Sequence, residues 1–115
     1  MEKIIKIDGR DVKFKSSGGT MYRYKAQFGR EYLADIIDLD KCRMDSEDGK
    51  TTYDMTKFPL EMMYNLAWVL AKTADDTIPP PLEWLDSFEV FPIIDIWSEL
   101  GELISKNAVI DRKNG

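Results

Sequence analysis

At 115 residues and a formal net charge of −5, the chain suffices for one domain burying roughly two thirds of the surface its unfolded form would expose. Its apolar, charged and aromatic fractions are those of a globular protein and argue against disorder. There is no histidine and a single cysteine, Cys42, which removes Ser-His-Asp and Cys-His catalytic sets, a His/Cys zinc site and an intramolecular disulfide framework.

The N-terminal MEKIIKIDG has too short an apolar run for a signal peptide, and one thiol fits a reducing compartment. The expected localisation is the cytoplasm. Charge is spread unevenly. Residues 1–30 carry eight Lys/Arg and three Asp/Glu, whereas residues 31–115 carry eight and eighteen. A basic segment can mark a nucleic-acid surface, but a two-stranded hairpin also needs charge on its wet face and edges to stay soluble, and that reading is preferred.

Residues Lys3 to Lys15 alternate apolar and polar around Asp8-Gly9, a dipeptide suited to a hairpin turn because glycine takes positive φ at little cost. Ile5 and Ile7 share one face of the first strand, Val12 and Phe14 one face of the second. Ser16 to Thr20, SSGGT, reads as a flexible joint before a helix capped by Thr20. A glycine-rich stretch before a helix can cradle phosphate, but no Lys follows these glycines as a phosphate loop requires, and a plain linker is the preferred reading. From Met21 to Leu39 the spacing of Tyr24, Phe28, Tyr32, Leu33, Ile36 and Ile37 is helical, with a break or tight kink at Gly29 that makes two short helices or one bent one, and Arg23, Lys25, Glu31, Asp35 and Asp38 are available to face water. Asp40 to Lys57 reads as a polar, solvated loop. Its acidic residues do not form a calcium loop, since with Gly49 at the invariant turn position the first and last ligand positions would be Met44 and Met55.

The stretch Phe58 to Asp76 predicts the central helix, opened by Pro59 at its first position and apolar over most of its circumference. One narrow stripe holds Glu61, Asn65, Lys72 and Trp68. The stretch is too short and too interrupted by polar groups to span a membrane. Thr77 to Pro81 is a rigid connector, and Pro81 can start a short helix, Leu82 to Phe88, with Trp84, Leu85 and Phe88 on one side. A last helix from Phe91 to Lys106 carries Ile93, Ile96, Trp97, Leu100, Leu103 and Ile104 on one stripe. The tail 107–115 is expected to fray.

The predicted architecture is therefore a single α+β domain, mainly α, over residues 1–115. A β-hairpin (1–15) precedes a small bundle of about four to five helices around a buried central one: a helical segment (20–39), a polar loop (40–57), the central helix (58–76) and C-terminal helices (82–106). No set of carboxylates assigns acid and base roles, and catalysis, cofactor and metal are not expected. Cys42, between Lys41 and Arg43, reads as an ordinary thiol.

The stretch Tyr64-Asn65-Leu66-Ala67-Trp68 through Ala71-Lys72-Thr73-Ala74-Asp75, then Ile78-Pro79, then Glu83-Trp84-Leu85-Asp86-Ser87-Phe88 resembles the tail assembly chaperones of long-tailed (siphovirus-type) phages and prophages of Gram-positive bacteria. Ile7-Asp8-Gly9 with Phe14, Tyr22-Arg23-Tyr24 and Phe28-Gly29-Arg30 are similar as well. The resemblance implies a non-enzymatic protein that binds the tape measure protein before and while tail tube subunits polymerise, and that is absent from the finished virion. A longer frameshifted form is common in such families. It implies the tape measure protein as partner, leaves the tail tube protein and self-association open, and involves neither nucleic acid nor membrane. Trp84, Leu85 and Phe88 are the candidate partner-binding residues, although a core role is the preferred reading of the same side chains. Two further readings stand beside this one: a nucleic-acid-binding regulator using the basic first third with Tyr22 and Tyr24, and a structural tail completion protein.

Overall fold

A computed structural model describes residues 1–49, 51–54, 56–57 and 59–108. Strands β1 (Glu2–Ile7) and β2 (Arg10–Lys15) pair antiparallel in the register Ile7↔Arg10, Ile5↔Val12 and Lys3↔Phe14. The two turn residues both take positive φ, 52° at Asp8 and 76° at Gly9. That geometry follows the right-handed twist of the strands, which is why an Asp-Gly pair suits it. Ile5, Ile7 and Phe14 are buried and Val12 packs at the core edge. The inward face of the hairpin is thus the predicted one.

The SSGGT joint is held by its own hydroxyls. Ser17 Oγ accepts from the Gly19 amide at 3.2 Å, and Thr20 Oγ1 accepts from the Ser17 amide at 2.9 Å. Thr20 is not the cap of the next helix. It is the first residue of α1 (Thr20–Phe28), buried, with Gly19 preceding it. Gly29, at φ 71°, ends α1 in the left-handed conformation and donates its amide to the Lys25 carbonyl, an arrangement that a residue without Cβ adopts cheaply. A separate helix, α2 (Tyr32–Asp40), follows.

The predicted loop 40–57 contains a second hairpin. Strands β3 (Arg43–Asp45) and β4 (Thr51–Tyr53) pair antiparallel, and the Asp54 amide extends the pairing by donating to the Cys42 carbonyl at 2.7 Å. Three-residue strands are too short to show period-two alternation, so the sequence carried no such signal. Cys42 is buried, its Sγ 3.2 Å from the Lys57 carbonyl oxygen and 3.5 Å from that of Asp38.

The central helix is α3 (Leu60–Ala74), with Pro59 just before its first residue and not within it, and Phe58 outside the described residues. Eight of its side chains are buried, from Met62 to Ala71. It packs against β2, α1, α5 and α4, so the core lies along this helix. Trp68, assigned by periodicity to the polar stripe, is buried as well. The connector folds back to offer the Pro79 carbonyl to its indole N–H at 2.9 Å, and Phe28 meets its ring edge-on at 6.0 Å.

Pro81 opens α4 (Pro81–Asp86), which stops before Phe88. Helix α5 (Ile93–Ala108) starts after Pro92, and Phe91, predicted as its first residue, lies outside it, in keeping with the bias of a residue preceding proline away from the helical region. It continues past Lys106, so Asn107 and Ala108 are helical, and the rest of the predicted tail lies outside the described residues. All six residues of its predicted apolar stripe are buried. No helix among the described residues is long and apolar enough to cross a membrane.

Candidate partner-binding surface

The three candidate residues do not form an exposed patch. Trp84 and Phe88 are 3% and 6% exposed, and Leu85 packs half-buried beside them. Four aromatic rings meet here. Trp84 stands edge-on to Phe14 (6.5 Å between centroids), Phe88 (5.4 Å) and Phe91 (5.4 Å), and Phe88 meets Phe91 at 5.2 Å. Such edge-to-face contacts add to the gain from burial because the positive rim of one ring faces the negative face of another.

The hairpin tip closes over this cluster. The Arg10 guanidinium lies 3.9 Å from the centre of the Phe88 ring and donates to Ser87 Oγ at 3.3 Å. Asp8 Oδ2 accepts the Glu89 amide at 2.9 Å. Side chains that read as a binding face on an isolated short helix are thus covered by residues some seventy positions earlier. The distance in sequence hid the cover.

The exposed apolar side chains are others. On α2, Leu33 and Ile37 are 47% and 56% exposed, four residues apart and so on one helix face, with half-buried Ile36 next to them. Leu82, Val90 and Ile94, within a few positions of the aromatic residues in sequence, are exposed as well. Asp38 and Asp40 are exposed on α2 too, so its outer surface is both apolar and acidic. An amphipathic partner helix can be held on such a face by its apolar side and steered by basic residues at its edge.

Helix α2 is anchored by a buried polar group that periodicity assigned to water. Asp35 is 4% exposed. It accepts from Arg30 Nε at 2.8 Å, from Arg30 Nη2 at 2.6 Å and from the Tyr24 hydroxyl at 2.6 Å. A bidentate guanidinium and a phenol satisfy the carboxylate, which is the condition for burying it. The Arg30 hydrogen bonds hold the Asp35 carboxyl below its ordinary range despite burial. Burial and the Asp35 hydrogen bond push the Tyr24 phenol up, and burial alone does so for Tyr32, whose hydroxyl donates to the Ile104 carbonyl at 2.9 Å. Two hydroxyl bonds therefore fix α2, one to α1 through Asp35 and one to α5.

Of the tyrosines considered for base stacking, Tyr24 is buried in this network and Tyr22 is 79% exposed. No group of three or more metal-ligating side chains occurs among the described residues. Comparison with protein-family models, with curated proteins and with solved structures found no match in any of the three.

Proposed function

We propose that the chain is a non-catalytic phage tail assembly chaperone that binds the tape measure protein during tail morphogenesis in the host cytoplasm. The reading rests on the sequence resemblance over residues 64–88 and around the hairpin. One structural observation supports it: Leu33 and Ile37 stand exposed at helical spacing on α2, a short helix tied at its inner side by Tyr32 and Asp35. An elongated helical client needs an apolar strip of this kind, and the acidic surroundings disfavour like-charged competitors.

Co-expression with the tape measure protein of the same genome tests the proposal. The client is expected to become soluble and to co-elute in size-exclusion chromatography at moderate salt. The variant Leu33→Ser with Ile37→Ser is expected to fold normally and recover several-fold less client. A client that stays insoluble beside well-expressed protein overturns the reading, and a salt series with DNA then becomes the next experiment. Presence of the chain in purified particles would instead point to a tail completion protein.

A further inference from the structure

Between α1 and α3 lies a pocket of about 240 Å³ lined by Arg23, Ala26, Gln27, Trp68, Val69 and Lys72. Two cations share it in a chain of net charge −5, and no carboxylate is among its lining residues. Arg23 is exposed, and its guanidinium has neither an ion pair nor a hydrogen bond to any described residue. Lys72 is differently placed. Its Nζ donates to the carbonyls of Asp76 and Ile78 at 2.6 and 3.1 Å, which pins it beside the Trp68 ring, 6.0 Å from the centroid, and leaves one of its three hydrogens for a ligand. The remaining wall, Ala26, Val69 and the buried Trp68 ring, is apolar.

From this arrangement we infer a binding site for a carboxylate carried on a short apolar stem. The free guanidinium fork matches the two oxygens of a carboxylate, Lys72 supplies a fixed positive charge, and the stem lies on the Trp68–Val69 wall. The same fork also matches phosphate oxygens, but a phosphate carries no stem for the apolar wall. The pocket lies between α1 and α3, and the inference does not depend on the client reading for α2.

The test is a titration of isotope-labelled protein by NMR, following the Trp68 indole and Gln27 side-chain amide signals. Hexanoate is expected to shift both and to saturate in the millimolar range, while hexanamide, its neutral counterpart, and inorganic phosphate leave them in place. Arg23→Gln, at an exposed position whose side chain makes no hydrogen bond or ion pair to a described residue, is expected to weaken hexanoate at least tenfold with the melting temperature unchanged. Butyrate and decanoate identify the source and both support the site: equal affinities indicate an acidic side chain of a partner protein, and affinity rising with length indicates a free fatty acid. Equal shifts from hexanamide, binding of phosphate but not hexanoate, or hexanoate binding undiminished by Arg23→Gln would each overturn the inference.

Discussion

Replacing Trp84 and Phe88 together by alanine is expected to unfold the protein, not to remove a binding face from an intact fold. Truncating a buried Trp or Phe to Ala costs about 3–5 kcal/mol, the lost transfer energy plus the cavity left behind. Both rings are almost fully buried, and Trp84 is in contact with Phe14, Phe88 and Phe91, which puts each near the upper half of that range. The two rings touch, so about 1 kcal/mol of shared contact is counted once. The double variant then loses about 7–9 kcal/mol, against a total stability of about 6–17 kcal/mol for a chain of this length. Circular dichroism and urea denaturation provide the assay. Little folded protein at 37 °C, with exposed apolar surface reported by dye binding, is the expected result, and Trp84→Phe, which keeps an aromatic ring, should retain a cooperative transition. A double variant melting within about 5 °C of the parent, less than 2 kcal/mol at this size, would refute the reasoning and return both side chains to the surface.

Other substitutions probe the network under α2 and the chain breaks. Asp35→Asn should cost about 2 kcal/mol in urea denaturation, between the values for an exposed and a buried ion pair because the Arg30 side is open to water. Since the Arg30 bonds lower the Asp35 carboxyl in the folded state, its contribution is complete above the unfolded carboxylate range, near pH 4, and is lost as pH falls through the folded value. The Asn variant should accordingly lose less stability than the parent below that pH, and equal acid slopes would contradict the assignment. Tyr24 and Tyr32 are raised, so their stabilising effect holds below the unfolded phenol value of about 10 and declines as pH rises through the folded ones. Ultraviolet titration should show two of the five tyrosines ionising only in stronger alkali, together with unfolding. Gly29→Ala, at φ 71°, should cost about 1 kcal/mol while Gly29→Asn costs less, read from the urea midpoint.

What the sequence disclosed and what it concealed divide by the range of the interaction. The Asp8-Gly9 turn, the break at Gly29 and the start at Pro81 are decided by one or two residues' own backbone preferences, and each falls where expected. Asp35 is decided otherwise. Its helical position places it towards water, and only Arg30 beyond the α1–α2 turn and Tyr24 on the preceding helix make its burial affordable. Trp68 follows the same logic, since its indole is satisfied by a carbonyl of the connector that leaves the helix and returns. The second hairpin was hidden for another reason: two three-residue strands are too short to carry a period.

Binding surfaces are the least legible because they are what remains after every other face has been used. Periodicity names the apolar stripe of a helix but not which of two neighbours will cover it. On α4 the stripe is covered by Arg10, Phe14 and Phe91, so Trp84 and Phe88 belong to the core. On α2 the side that turns inward is the one bearing Tyr32, Asp35 and Leu39, chosen by two hydroxyl bonds as much as by apolar area, and this leaves Leu33 and Ile37 outside. A polar network thus selects the apolar face that the protein presents. Tyr24→Phe with Tyr32→Phe should therefore loosen α2 more than either single change and broaden the Leu33 and Ile37 methyl signals in NMR spectra. Sharp, unshifted signals in that double variant would show that packing alone orients the helix.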